Sequence, residues 1–213
     1  MTVADTRIKH LNDRKVRKGR YVLYWMQQSQ RAEHNHALEY ALHHANIFGQ
    51  GVIVGFGLMD VYPEAILRHY TFMLEVLRET MTTLAARGIK MVLRRGHPPE
   101  VALKLSRGAS MVVCDRGYLK HQRDWRERVA IEANCRVVQV ESDVVVPVEV
   151  VSDKAEYAAR TIRPKIHRHL KTYLVGLKST QANQSSLGMK IKGMDLDDPD
   201  KLLTKLKLDR SLS

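Results

Sequence analysis

Cysteines, glycine-rich loops and long apolar runs are scarce in this chain. Its two cysteines are Cys114, inside an apolar run, and Cys135, at the head of another. That spacing fits no zinc or redox pattern and points away from a disulfide-stapled secreted scaffold, toward a reduced, cytosolic chain. No apolar stretch approaches the roughly 18 residues of a membrane span. Residues 1–20 are polar and carry seven Lys or Arg with no apolar segment behind them, so they do not read as a secretory signal. Phosphate fingerprints are missing too. Gly55-Phe56-Gly57 has Asp60 where the third glycine of a dinucleotide loop belongs, and no lysine-bearing phosphate loop occurs. There is no Gly-x-Ser-x-Gly elbow either. His34 with His36, His43 with His44, and His167 with His169 are one or two residues apart, whereas chelation from one helix needs three or four. Solvated histidines are the simpler reading, and no metal is expected.

What is present in quantity is basic charge and enough apolar residue for a core. The 213 residues are 44% hydrophobic, and 35 Lys plus Arg against 23 Asp plus Glu give a net charge of +12. Nucleic acid or another polyanion is a reasonable partner on that basis, although solvated charged faces explain such charge equally well. The basic arm, residues 1–19, has the charge to touch phosphate; its composition reads as a frayed tail.

Pattern then sets the architecture. Tyr21-Val22-Leu23-Tyr24-Trp25-Met26 carries no charge and no clean alternation, as expected of a central strand covered on both faces. Similar runs follow at residues 52–56, 89–93, 111–114 and 137–140. Between them, residues 32–48, 66–87, 100–107 and 120–133 show helical spacing, with glycine stops at Gly49, Gly51 and Gly88 and a proline start at Pro98-Pro99. Five strands alternating with helices predict a doubly wound, five-stranded parallel sheet over residues 20–143, with right-handed crossovers. Residues 144–213 read as a helical or irregular connector: Pro147 argues against a central strand, Pro164 predicts a break or kink in a basic helix, and the scattered leucines beyond cannot form a core of their own.

In such a sheet, ligands sit at the carboxyl ends of the strands. The candidate site residues are therefore Trp25, Met26, Gln27, Gln28 and Arg31 after the first strand, Phe56 on the second, Asp115 and Arg116 after the fourth, and Asp143 after the fifth. Helix capping explains the polar members equally well, and core packing is the common fate of the aromatic ones.

Several blocks together resemble the amino-terminal part of class II cyclobutane pyrimidine dimer DNA photolyases. They are residues 21–31, Asn35-His36-Ala37-Leu38-Glu39-Tyr40-Ala41, Leu67-Arg68-His69-Tyr70, Asp115-Arg116-Gly117-Tyr118-Leu119, residues 141–147 and residues 157–166, with a linker-like Leu208-Asp209-Arg210-Ser211 at the end. The resemblance implies a Rossmann-like photolyase α/β domain that holds a light-harvesting antenna such as an 8-hydroxy-5-deazaflavin. In the family a following helical domain binds FAD and the lesion, and none of its catalytic residues has a counterpart here. The chain ends where that domain is expected, as a separately encoded, split or truncated piece would. Such a chain is expected not to repair DNA alone, to contact DNA weakly at most, and to dock a separate helical FAD domain through residues 144–173. A stand-alone nucleotide- or deazaflavin-binding module is the alternative.

Overall fold

The structure is a computed structural model that describes residues 3–60, 62, 65–206 and 208. Pro63 of the loop after the second predicted strand, and residues 209–211 of the linker-like end, lie outside the described residues. The strands are β1 (Ile8–His10), β2 (Tyr21–Trp25), β3 (Gly51–Leu58), β4 (Lys90–Arg95), β5 (Ala109–Asp115) and β6 (Arg136–Val140). The helices are α1 (His36–Ile47), α2 (Leu67–Ala86), α3 (Pro98–Ser106), α4 (Lys120–Glu132), α5 (Val148–Val151), α6 (Ala159–Tyr173) and α7 (Pro199–Lys205). They build one sheet in the order β1-β6-β5-β2-β3-β4. Strands β2 to β6 pair in parallel, as predicted, and β2 is central, with Leu23 between Ile53 and Val112.

All five residues of β2 are buried, and alternate positions serve opposite layers. Val22, Tyr24 and Met26 join the core with Leu38 and Leu42 of α1 and Leu74 and Leu77 of α2. Tyr21, Leu23 and Trp25 join Val101 and Leu105 of α3 and Val129 of α4. Each large apolar side chain so buried contributes about 1.5–3 kcal/mol. Local chemistry agrees with the pattern. Asn35 caps α1 by accepting from Leu38 N at 3.0 Å, Gly88 ends α2 at φ +75°, and Pro98 opens α3. Gly57 lets β3 lie against α3, for a Cβ there would stand 2.7 Å from Pro98 Cα. The Gly55-Phe56-Gly57 run is thus a close-packing device within β3.

Three departures from the sequence reading stand out. First, the sheet has a sixth strand, because Ile8–His10 adds antiparallel to β6. From Val3 onward the arm packs on the domain: Val3 and Arg7 are 2% and 4% exposed. The Arg7 guanidinium donates to the carbonyls of Glu141, Val144 and Val145 at 3.1, 2.9 and 2.5 Å. Second, α6 runs through Pro164 without a break. The proline removes one N–H donor from the helix without ending it. Third, the tail packs on the domain. Met194 N donates to Leu93 O at 2.7 Å, and Leu196, Leu202, Leu203 and Leu206 enter the core alongside α2. These leucines cannot make a core of their own, but they complete an existing one.

Candidate functional site

The carboxyl ends of β2 and β3 open into a cavity of about 440 Å³, within the range of small-molecule sites. Met26, Phe56 and Leu58 form its base; Tyr70 and Met73 of α2 make one wall; Pro98 of α3 and Trp125 of α4 make the other. Gln27, Gln28, Gln30 and Gln122 supply carboxamides, and no Asp, Glu, Lys or Arg lines the cavity among the described residues. Gln122 Nε2 donates to Gln28 Oε1 at 2.6 Å, fixing the polar corner. Near the wall, the Trp125 ring meets His121 and His97 edge to face, with centroids 4.9 and 5.3 Å apart, and the Tyr62 hydroxyl sits 2.8 Å from His121 Nε2. Both polar atoms of the Gln27 side chain are buried without a partner among the described residues.

The loop from Gln27 to Ser29 is shaped by one buried carboxylate. Asp115 Oδ2 accepts from the backbone N–H groups of Gln27, Gln28 and Ser29 at 2.8, 2.8 and 3.0 Å, and Oδ1 accepts from the Tyr24 hydroxyl at 2.8 Å. Burial pushes the Asp115 carboxyl above its ordinary range, against the pull of these donors. Asn35 closes the network, donating to the Tyr24 hydroxyl, Ser29 O and Arg31 O at 2.8, 3.1 and 3.0 Å.

The candidate residues thus separate into four groups. Met26, Gln27, Gln28 and Phe56 line the cavity. Trp25, one residue out of phase with Met26, is 1% exposed and points into the α3/α4 core. Asp115 is the buried anchor just described. Arg31, Asp143 and Arg116 do not line the cavity. Asp143 accepts from Ser29 Oγ at 2.5 Å and pairs with Arg31 at 3.4 Å, while Arg116 pairs with Glu149 at 2.9 Å and Glu141 at 3.5 Å. Sequence reasoning missed Tyr70 and Met73, which read as core stripe, as well as Pro98, Gln122 and Trp125. A tryptophan in the otherwise polar stretch 120–128 was the available signal.

The cavity holds no carboxylate pair, no serine nucleophile and no cationic phosphate clamp among its described lining. What the lining offers is aromatic faces and amide edges, which can stack on a planar ring and hydrogen-bond along its rim. A largely parallel sheet covered by helices on both faces, with a cavity at its central strand ends, is a Rossmann-like α/β domain.

Comparison with known proteins narrows that class. A family model described as DNA photolyase matches residues 22–184, and the chain belongs to that family. It is 46% identical over 184 residues to a deoxyribodipyrimidine photo-lyase of Methanothermobacter thermautotrophicus, covering 86% of this chain and 41% of the relative. Over 169 residues it is 36% identical to that of Potorous tridactylus, covering 78% and 31%. The chain therefore spans about two fifths or less of the length of these relatives. Among solved structures, an archaeal photolyase from Sulfolobus tokodaii, described as holding two FAD molecules, aligns with TM-score 0.64 at 17% identity, over 90% of this chain and 43% of that one. A class III photolyase from Agrobacterium tumefaciens aligns with TM-score 0.64 at 18% identity, over 84% and 38%. At those identities the likeness establishes the fold.

Proposed function

We propose that this chain is the antenna-binding α/β domain of a class II DNA photolyase, serving light-dependent repair of cyclobutane pyrimidine dimers. The observation that carries the reading is the uncharged, aromatic-walled cavity of about 440 Å³ at the ends of β2 and β3. A deazaflavin fits its chemistry: a planar tricycle between Trp125 and the Tyr70 and Met73 side, with lactam edges that glutamine carboxamides can both donate to and accept from. When bound, such a chromophore absorbs light and passes the excitation to a flavin. The class II assignment rests on the sequence blocks at residues 21–31, 115–119, 141–147 and 157–166. The bond-breaking chemistry belongs, on this reading, to a helical FAD domain outside these residues.

Titrating the purified chain with 8-hydroxy-5-deazaflavin should give a saturable absorbance shift at one equivalent. Ala65→Trp, which fills the cavity from its lining, should abolish the shift without unfolding the protein. A chain that produces no spectral change at any ratio would sink the antenna reading; the same spectrum from a nucleotide but not from the deazaflavin would favour the stand-alone module.

One observation favours a docking role for residues 144–173 as well. Helix α6 has no buried residue, and Tyr157, Leu174 and Val175 beside it are 97%, 68% and 67% exposed. A 15-residue helix left that open gains little from packing on its own domain. A helical FAD domain is the proposed cover.

A further inference from the structure

The basic arm was the part of the sequence with the least structural expectation, and it is one of the most firmly placed. Leu11 N donates to Val137 O at 2.9 Å, Arg17 N to Ser110 O at 3.1 Å, Arg20 N to Gly108 O at 2.9 Å, and Arg136 N returns to Lys15 O at 3.3 Å. Asn12 adds three more bonds, to Ala130 O, Cys135 O and Val137 N, at 2.9, 3.1 and 3.0 Å. The segment is thereby laid across the amino-terminal ends of β6 and β5, the end of the sheet opposite the cavity.

It holds Arg14, Lys15, Lys18 and Arg20 exposed, with Arg107 of the α3–β5 turn exposed beside Arg17, which donates to its carbonyl. Asp13 is the one acidic residue among residues 9–20, and no ion pair involves any of these cations among the described residues. Glu132 of the neighbouring helix is held by Arg128 at 2.8 Å. A row of unneutralised cations on a fixed backbone is electrostatically unfavourable for the isolated chain, and a polyanion removes that repulsion.

We propose that residues 9–20 form a strap for the phosphodiester backbone of a nucleic acid, at the end of the sheet opposite the cavity. The partner follows from what the strap omits as well as from its charge. No large apolar side chain is exposed on it, so it offers no anchor to a bilayer and no core to a protein interface. Tyr21, the aromatic residue next to it, is 2% exposed and cannot stack on a base. Charge without stacking or base-edge contacts is the chemistry of sequence-independent backbone binding, governed by counterion release. Because the backbone of the strap is already ordered, binding has little ordering entropy to overcome.

The test is the salt dependence of binding to a labelled duplex of about 20 base pairs, with single-stranded RNA and anionic phosphatidylserine vesicles as parallel probes. Contacts to about four phosphates give a log–log slope near −3.6, so affinity falls roughly 100-fold from about 50 to about 200 mM salt. The triple variant Lys15→Gln, Lys18→Gln, Arg20→Gln should lower that slope in magnitude by about 2.7, and Lys15→Gln or Lys18→Gln alone by about 0.9. The variant Arg163→Gln, Arg168→Gln, Lys171→Gln removes equal charge from α6 and should leave the slope near its original value. Tighter binding of the RNA identifies the source of the backbone and keeps the strap. An unchanged slope in the arm variants, an equal drop in the α6 variant, or vesicles binding more tightly than either nucleic acid would overturn the proposal.

Discussion

Asp115 shows how one side chain organises a site it does not touch. Its carboxylate gathers three consecutive backbone N–H groups and a tyrosine hydroxyl, so the loop that presents Gln27 and Gln28 exists in this shape because of it. Asp115→Ala leaves several donors without an acceptor, and the expected loss is about 3 kcal/mol in urea unfolding, with deazaflavin uptake lost at the same time. A loss under about 1 kcal/mol would show that the loop holds itself. The sequence pointed to Asp115 as a strand-end residue without distinguishing ligand contact from loop capping, since both put a carboxylate in the same place. His36 illustrates a different effect. Burial, then the charges of Arg7 and Arg31, depress its pKa from 6.5 to about 4. The unfolded chain therefore binds the extra proton between those values, so this contribution to stability is whole above about pH 6.5 and declines as pH falls toward 4. Allowing for solvent screening of a half-buried ring, roughly 1 kcal/mol should be lost between pH 6.5 and about 5. His36→Phe should flatten that part of the stability profile, and an unchanged slope would assign the pH dependence elsewhere.

At the scale of elements, the five parallel strands were legible because each is centred on a short apolar run between helical patterns. The additions were not. Ile8–His10 is too short and too flanked by charge to read as a strand, and it becomes one because β6 presents a free edge. The tail is similar. Ser186 lies in a polar run, yet its Oγ accepts from Lys90 N at 2.8 Å and donates to Val52 O at 2.6 Å, tying the starts of β3 and β4 together. Ser186→Ala should cost about 1–2 kcal/mol by thermal or urea unfolding, because two buried backbone groups lose their partner. A change within about 0.5 kcal/mol would mean that water replaces the hydroxyl. Of the break or kink expected at Pro164, the break is absent and helix α6 continues through it, since local preference is a weak prior once tertiary contacts hold a segment. Here the Tyr173 hydroxyl meets Thr6 Oγ1 at 2.9 Å and its ring faces the Arg7 guanidinium at 5.5 Å.

Over the whole molecule, the net charge of +12 suggested a polyanion partner without saying where one would bind. Arm and cavity occupy opposite ends of the strands in one largely parallel sheet, so a chromophore and a nucleic-acid backbone would not compete for space. The sequence by itself determined the α/β class, the order of the parallel strands' elements, the end of the sheet where the cavity opens, and, through its motif blocks, the family. These follow from periodicity, capping and turn chemistry, which are local and survive without knowledge of neighbours. Only the tertiary structure decided which strand-end residues share the cavity, that Trp25 faces the core while Met26 faces the cavity, and that the arm and tail belong to the domain. Those outcomes depend on strand register, the alternation of faces and the partners offered by distant segments, none of which is encoded in any single stretch of chain.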